Sequence, residues 1–386
     1  MTPGTTNRGV IGWDVGGVNT KVARVEGGVV REIRSVPYEI QRAPEELAPL
    51  IARLARELGS EPGDHHAVTM TAELSQYFLT KREGVGFVLD AFERALPDRA
   101  ILVYGTDGEF RSVADARQVP LLSAASNWMA TAAVVAQQWP DAVLVDIGTT
   151  TTDIIPVRDG RVVARGRTDP DRLRTGELLY LGALRTPIEA IVHEVPLGDE
   201  TMMGGVSAES FALVGDAYIW LGELGEGDYT VPTPDGRPAT RAGARDRLAR
   251  VVCADGEMLD DAAIDAIARH VAHVQVERVA RSLERVIDDH HPISIVVIAG
   301  LGSFIARRAA ERVGIAAVEL GAELGAPAGR SAPAAAVAIL LEQLSPPLPS
   351  SSPLSRGSKF ELDNMDLRFR KDDGRVAPRL RGADGP

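Results

Sequence analysis

An internal repeat constrains the fold of this chain more than any other feature. Residues 10–30 match residues 142–162 without a gap, at a constant offset of 132 positions. Each copy has an apolar strand ending in Asp-x-Gly, a small polar run, a second strand, a glycine-containing turn and a third strand, and the aspartates are Asp14 and Asp146. A repeat of this kind indicates that one structural unit is used twice. We therefore predict an α/β fold of two β-β-β-α domains whose Asp-Gly turns face each other across a cleft.

Short β-rich apolar runs alternate with amphipathic stretches through residues 1–344, the pattern of an α/β protein. The predicted strands are Val10–Val15, Val22–Val25, Ala67–Thr71, Ile101–Tyr104, Ala142–Ile147, Ile154–Val157 and Ile293–Ile298. The predicted helices are 45–58, 82–96, 124–138, 207–221, 259–289, 303–313 and 333–344. We expect a first domain at 8–140, a second at 141–344, and a Pro/Ser-rich linker with a disordered tail at 345–386.

The longest predicted helix, 259–289, carries an apolar stripe with a period near 3.5 residues. Such a stripe is typical of a helix packed in the core, and it is also typical of a seam between two copies of a chain. The stripe is therefore compatible with a core helix and with a helix at a homodimer interface.

Composition excludes several classes of function. The chain has 42 basic and 54 acidic residues and a net charge of −12, so it lacks the basic surface that a nucleic-acid backbone requires. Its single cysteine, Cys253, cannot form an intrachain disulfide or a thiolate zinc site. Without an apolar leader or a run of about 18 apolar residues, we expect a cytoplasmic protein that does not bind membranes.

The two Asp-Gly turns have the composition of a phosphate site. A carboxylate at the end of a buried strand lies where ligands of α/β folds bind, and glycine lets backbone N–H groups approach an anion. A divalent cation is needed to keep such carboxylates from repelling phosphate. One Asp-x-Gly is commonly a plain turn, but two in register predict that Asp14 and Asp146 hold Mg²⁺, directly or through water.

A third glycine-rich turn follows the strand Ile293–Ile298. It contains Gly300, Gly302 and Ser303 and leads into a predicted helix, whose N-terminus favours an anion. It lacks the full G-x-G-x-x-G pattern, and the chain has no Walker A lysine motif, so a nicotinamide Rossmann enzyme or a P-loop NTPase is disfavoured.

Taken together, these turns resemble the actin/sugar kinase/Hsp70 superfamily, in which the first two grip the phosphates of ATP and the third supports the adenosine. Four segments are similar to the hydantoinase/oxoprolinase branch, and most of all to its members tied to tetrahydromethanopterin-linked C1 transfer. These segments are Gly12–Lys21, Thr69–Leu74, Thr80–Gly84 and Thr175–Pro187. The resemblance covers about residues 8–343.

The resemblance implies a transferase of methanofuran biosynthesis with Mg²⁺ as its cofactor. Its substrates would be an aminomethylfuran-methyl diphosphate and the phenol of γ-glutamyltyramine, which are joined as an aryl ether with release of pyrophosphate. The loops would then bind the diphosphate of the furan substrate instead of ATP. The proposed phosphate-binding residues are Gly16, Gly17, Asn19, Thr20, Gly148, Thr149, Thr150, Thr151, Thr152, Gly300, Gly302 and Ser303.

Such a reaction needs a base for the phenol proton, because a phenol has a pKa of about 10. Asp153, Glu73 and Asp107 are the candidates, and Lys21 is a candidate catalytic cation. Each has a structural alternative: Asp153 as an orienting residue, Glu73 as an acid at a helix N-terminus, Asp107 as a turn residue and Lys21 as a solvated strand residue.

Candidate substrate-binding residues are Lys81, Arg82, Asn127 and Arg185. Lys81 and Arg82 could bind the diphosphate or the glutamyl carboxylate, or simply begin a solvated helix. Asn127 could reach the substrate, whereas helix capping would explain Ser123 or Ser126 without any ligand.

Two other functions stay open. One is an ATP-dependent kinase or cyclic-amide hydrolase of the same fold, such as a hydantoinase or oxoprolinase. The other is a nucleotide-binding scaffold without chemistry, which the presence of both aspartates, the threonine run and Lys21 disfavours.

Overall fold

Two large β-sheets organise the described residues, which are 9–197 and 199–344 in this computed structural model. Each sheet contains one copy of the repeat. The described residues belong to one compact unit, and the domain division at 140/141 stays a prediction. The predicted linker and tail at 345–386 lie outside the described residues.

The first sheet has the strand order β3-β2-β1-β4-β5-β6. Its strands are β1 (Val10–Val15), β2 (Asn19–Glu26), β3 (Val29–Pro37), β4 (His65–Met70), β5 (Ala100–Tyr104) and β6 (Phe110–Ser112). Strand β1 is antiparallel to β2 and parallel to β4. The repeat strand therefore lies in the middle of the sheet and is buried along its whole length.

The second sheet follows the same plan, with the order β10-β8-β7-β13-β14 and β9 paired to β8. Its strands are β7 (Ala142–Ile147), β8 (Thr152–Arg158), β9 (Arg161–Val162), β10 (Leu178–Leu179), β13 (Ile295–Ala299) and β14 (Ala317–Glu319). Strand β7 is antiparallel to β8 and parallel to β13, as β1 is to β2 and β4. This topology confirms the predicted duplicated α/β fold. Strands β11 (Glu194–Leu197) and β12 (Asp199–Gly205) form a separate hairpin.

Thirteen α-helices cover the sheets in the described part of the chain. They are α1 (Leu47–Glu57), α2 (Lys81–Ala95), α3 (Val113–Gln118), α4 (Pro120–Ser123), α5 (Asn127–Gln138), α6 (Asp169–Thr175), α7 (Val214–Leu221), α8 (Arg241–Arg250), α9 (Asp261–Asp289), α10 (Ser303–Val313), α11 (Leu320–Leu324), α12 (Ala326–Arg330) and α13 (Ala332–Leu344). Helices α1 and α2 pack on one face of the first sheet, and α9 and α10 pack on one face of the second.

Helices α5 and α13 share a third core with residues from both sheets. A Cβ atom on Gly12 of β1 would lie 2.0 Å from the carbonyl oxygen of Ala334, so only glycine lets α13 approach this strand so closely. The C-terminal helix of the described chain therefore returns to the sheet that contains the N-terminal strand.

The predicted elements lie within three positions of the observed ends, with one exception. The predicted helix 207–221 begins only at Val214. Residues before it pair instead with the segment around Pro187, where Leu213 forms a β-bridge and Ala212 accepts a hydrogen bond from Ile188. This long-range pairing overrides the local helical pattern.

The apolar stripe of α9 is buried inside the chain, including Ile264, Val271 and Leu283. This confirms the core-helix interpretation of the stripe, and the predicted homodimer stays a prediction. In the described part of the chain, no helix combines the length and apolar character that crossing a membrane requires.

Candidate active site

The first Asp-Gly turn lies at the carboxyl end of β1. Asp14 pairs in register with Lys21 of β2, and the Lys21 Nζ lies 3.8 Å from a carboxylate oxygen of Asp14. The turn between the strands is closed by the N–H of Gly16, which donates to the carbonyl oxygen of Asn19 at 2.9 Å. A charged pair thus lies beside a tight backbone turn.

The second turn repeats this geometry with one chemical change. The N–H of Gly148 donates to the carbonyl oxygen of Thr151 at 2.9 Å, and Asp146 pairs in register with Asp153. Asp153 occupies the repeat position of Lys21, so a second carboxylate replaces the ammonium of the first copy. The two copies therefore share a backbone design and differ in charge.

The two turns lie within electrostatic reach of each other. The pKa of Asp146 is raised to about 7, mainly by burial and then by the charges of Asp153 and Asp14, while Lys21 opposes the shift. Burial also raises the pKa of Asp14, with Lys21 opposing and Asp153 adding. The charges of Asp153 and Lys21 therefore act on both Asp14 and Asp146.

The segment after β10 supports the second turn. The N–H of Ala183 donates to Gly148, and the N–H of Arg185 donates to Thr149. A Cβ on Gly182 would lie 2.5 Å from the nitrogen of Thr150, so this approach needs glycine. The fully buried Gln275 of α9 donates to the Gly182 carbonyl oxygen at 2.9 Å. This hydrogen bond holds the segment that contacts the second turn.

The third glycine-rich turn also contacts the second Asp-Gly turn. Gly300 has a φ of +90°, and a Cβ there would lie 2.4 Å from a carboxylate oxygen of Asp146. The N–H of Gly302 donates to the carbonyl of Ile147 at 2.8 Å, and Ser303 begins α10. The second Asp-Gly turn and the third glycine-rich turn, which contain predicted phosphate-binding residues, therefore lie side by side.

Arg172 of α6 is a site residue that the sequence reasoning missed. Its guanidinium forms a buried ion pair with Asp153 and lies 4.4 Å from the ring centre of Trp128. Only 1% of Arg172 is exposed, which is unusual for arginine without such partners. No short motif marks it, although it lies beside the family-like segment that starts at Thr175.

Glu73 is the most isolated of the three candidate bases. Its side chain is fully buried, and neither carboxylate oxygen has a hydrogen-bond partner among the described residues. Burial raises the pKa of Glu73 to about 7, and the Lys81 ammonium, 3.7 Å away, opposes this shift. Lys81 itself forms a closer ion pair with Asp169, at 2.6 Å.

The other two candidate bases have cationic partners. Asp107 forms an ion pair with Arg111 and accepts from the N–H of Glu109, all within one hairpin turn. Asp153 is held by Arg172. Glu73 therefore differs from Asp107 and Asp153, because its carboxylate has no hydrogen-bond partner among the described residues.

Arg82 and Arg185, two of the predicted substrate residues, have exposed side chains, and Asn127, a third, is half-buried at the start of α5. The capping alternative for the nearby serines is wrong for Ser126, because its hydroxyl makes no cap hydrogen bond. The hydroxyls of Ser123 and Ser126 are both buried and have no partner among the described residues.

Comparison with known proteins places this site in a family. The model of the hydantoinase/oxoprolinase family matches residues 64–344 of the chain. The chain belongs to the hydantoinase/oxoprolinase family. This confirms the resemblance seen in the sequence, and the match includes the second Asp-Gly turn, Glu73 and Lys81.

Two named proteins are similar in sequence to this hydantoinase/oxoprolinase family member. Both are named (4-{4-[2-(gamma-L-glutamylamino)ethyl]phenoxymethyl}furan-2-yl)methanamine synthase. The one from Methanocaldococcus jannaschii is 33% identical over 335 residues, which cover 86% of this chain and 98% of that protein. The one from Methanococcus vannielii is 36% identical over 170 residues, which cover 44% of this chain and 74% of that protein.

Solved structures of lower identity are also similar to the chain. A ROK family glucokinase from Streptomyces griseus is 14% identical, with a TM-score of 0.46, over 86% of this chain and 98% of that one. A polyphosphate/ATP-glucomannokinase from an Arthrobacter strain is 14% identical, with a TM-score of 0.42, over 88% of this chain and 99% of that one.

The carboxylates of this family member fit the chemistry of Mg²⁺. The Oδ1 atom of Asp14 is buried and has no partner among the described residues. Burial is the main cause of the raised pKa of Asp146, and the charges of Asp153 and Asp14 add to it. Within residues 9–197 and 199–344, no three His, Cys, Asp or Glu side chains are grouped to hold a metal by themselves. Mg²⁺ commonly takes one or two carboxylates and completes its shell with water and phosphate oxygens.

Proposed function

We propose that this protein catalyses the formation of an aryl ether. It would join the phenol oxygen of γ-glutamyltyramine to the methylene carbon of an aminomethylfuran-methyl diphosphate and release pyrophosphate. The observation that carries this proposal is the 33% identity that extends over 98% of a synthase named for a phenoxymethyl-furan product. The ether bond of that product joins a phenol oxygen to a furan methylene carbon.

The site contains groups suited to the leaving diphosphate. The backbone N–H groups of the two Asp-Gly turns and the Lys21 ammonium would neutralise its charge. Asp14 and Asp146 would hold Mg²⁺, which when bound would offset the negative charge of the diphosphate. The polar run at Thr149–Thr152 would supply further hydrogen-bond donors to the phosphate oxygens.

Glu73 is the base that we assign to the phenol. Its carboxylate is buried and without a hydrogen-bond partner, whereas the alternatives Asp107 and Asp153 are bound to arginines. In the proposed step, Glu73 takes the phenol proton as the phenol oxygen bonds to the methylene carbon. The bond from that carbon to the diphosphate breaks, and its electron pair leaves with pyrophosphate. The furan ring assists because it donates electrons to this carbon.

The test is to incubate the purified protein and Mg²⁺ with the furan diphosphate and γ-glutamyltyramine, with and without ATP. We expect pyrophosphate and the ether product in equal amounts in the absence of ATP, measured by a pyrophosphate-release assay and mass spectrometry. The Asp14→Asn variant is the matched control and should form neither product. A strict requirement for ATP would contradict the proposal and favour an ATP-dependent kinase or cyclic-amide hydrolase.

A further inference from the structure

Three charged residues from three different segments meet beside the proposed base. Glu73 follows strand β4, Lys81 is the first residue of α2, and Asp169 is the first residue of α6. The Lys81 Nζ lies 2.6 Å from a carboxylate oxygen of Asp169 and 3.7 Å from a carboxylate oxygen of Glu73. Lys81 therefore lies between two carboxylates and forms its close ion pair with Asp169.

The two carboxylates differ in their surroundings. The Glu73 side chain is fully buried, whereas the side chains of Asp169 and Lys81 are 17% and 25% exposed. A fixed opposite charge interacts more strongly with a buried carboxylate than with a hydrated one. Without Asp169, the Lys81 ammonium would have Glu73 as its remaining carboxylate partner.

Asp169 is itself held from the other side. The guanidinium of Arg172, one helical turn further along α6, lies 3.8 Å from the second carboxylate oxygen of Asp169. Arg172 is anchored by Asp153 and Trp128, so the position of Asp169 is tied to the second Asp-Gly turn. The charges alternate from Asp153 through Arg172, Asp169 and Lys81 to Glu73.

We propose that Asp169 is a positioning residue for the reaction, because it holds the Lys81 ammonium away from Glu73 and leaves the Glu73 carboxylate free to accept a proton. The catalytic meaning of this proposal rests on the proposed ether-forming function. The electrostatic relationship among Glu73, Lys81 and Asp169 does not depend on the identity of the substrates.

The charged groups that face Glu73 predict that Asp169→Asn and Lys81→Met shift the pKa of Glu73 in opposite directions. Lys81 of α2 lowers the pKa of Glu73, Asp169 of α6 raises it, and the N–H groups of Glu73 and Ala125 lower it without reaching hydrogen-bond geometry. Asp169→Asn removes a negative charge and releases Lys81 toward Glu73, so the pKa of Glu73 should fall. Lys81→Met removes the opposing cation, so the pKa should rise.

The experiment is an infrared difference titration of the full chain without substrates. The protonated-carboxyl band that wild type has and Glu73→Gln lacks reports the protonation of Glu73. We expect its midpoint to move to lower pH by about one unit in Asp169→Asn and to higher pH by a similar amount in Lys81→Met. Asp169→Glu should stay close to wild type because it keeps the charge.

Asp171→Asn is the matched control on the same helix. Asp171 pairs with the exposed Arg174 instead of Lys81, so this variant should leave the midpoint unchanged. Shifts in the same direction for Asp169→Asn and Lys81→Met, no shift in either, or no band assignable to Glu73 would overturn the proposal. The readout needs no turnover, so opposite shifts in a protein that forms no ether would refute only the proposed function.

Discussion

Lys21 lies opposite Asp14 across strands β1 and β2, with its Nζ 3.8 Å from the carboxylate. In the second copy of the repeat, Asp153 takes the place of Lys21 opposite Asp146. Lys21 lies beside Asp14 and the buried Arg172 pairs with Asp153, so two cations accompany the three acids of these turns. In the proposed function, Lys21 would contact the diphosphate, and Asp14 and Asp146 would hold Mg²⁺.

Replacing Lys21 with Met should weaken binding of the furan diphosphate. A hydrogen bond to a charged group contributes about 1.5 to 3 kcal/mol, so the KM for the diphosphate should rise by roughly ten- to a hundredfold. The KM for γ-glutamyltyramine should change little. Steady-state kinetics with each substrate varied in turn checks this, and Lys21→Arg should retain most of the affinity. Equal increases in both KM values would contradict the assignment.

Replacing Asp146 with Asn should change how stability depends on pH. In metal-free buffer the folded wild type keeps the Asp146 proton up to about pH 7, whereas the unfolded chain loses it near pH 4. The free energy of unfolding should therefore fall as pH rises from about 4 to 7, and this fall should be smaller in Asp146→Asn. Urea denaturation at several pH values measures the difference.

The same urea denaturation, repeated with Mg²⁺, tests whether Asp146 holds the metal. Mg²⁺ should stabilise wild type at pH 8, because a ligand that binds the folded state shifts the unfolding equilibrium. It should stabilise Asp146→Asn much less. If Mg²⁺ stabilised both proteins equally, the metal assignment of Asp146 would be wrong.

The pH dependence of the reaction should report Glu73. Because burial raises the pKa of Glu73 to about 7, kcat/KM should rise with pH up to about 7 and level off above it. Glu73→Gln should lower kcat by roughly a hundredfold or more. Asp107→Asn should stay near wild type, since Asp107 is paired with Arg111 in its own turn. A larger loss in Asp107→Asn than in Glu73→Gln would reverse the assignment.

Arg172→Met should destabilise the protein strongly. The substitution leaves the buried Asp153 without its partner, and breaking a buried ion pair costs about 3 to 5 kcal/mol. Arg174→Met, two residues away, removes an exposed ion pair with Asp171 and should cost less than about 1 kcal/mol. Adding Asp153→Asn to Arg172→Met should recover part of the loss. Chemical denaturation of the three variants gives these values.

Gln275→Met should affect the second Asp-Gly turn through the backbone of Gly182. Gln275 donates to Gly182 at 2.9 Å and accepts from the Tyr218 hydroxyl at 2.8 Å, so its loss leaves two buried polar groups unpaired. At about 1 to 3 kcal/mol for each unpaired group, stability should fall by a few kcal/mol. The KM for the diphosphate should rise as well. Tyr218→Phe keeps the bond to Gly182 and should leave that KM unchanged.

The sequence determined the fold class and the two Asp-Gly turns of this protein. Strand alternation, glycine turns and the 132-residue repeat are local signals, and a local signal can be read without knowing which distant residues meet. The ends of most predicted helices and strands lie within three positions of the observed ones for the same reason.

Tertiary structure decided the chemistry around those turns. Lys81 meets Asp169 across 88 positions, Arg172 meets Asp153 across 19, and the lack of a hydrogen-bond partner for Glu73 follows from how β4, α2 and α6 pack together. No periodic pattern or motif spacing in the sequence marks these contacts. The difference among the three candidate bases therefore arises from long-range packing, which sets burial and ion pairing, and not from the residue type that the sequence shows.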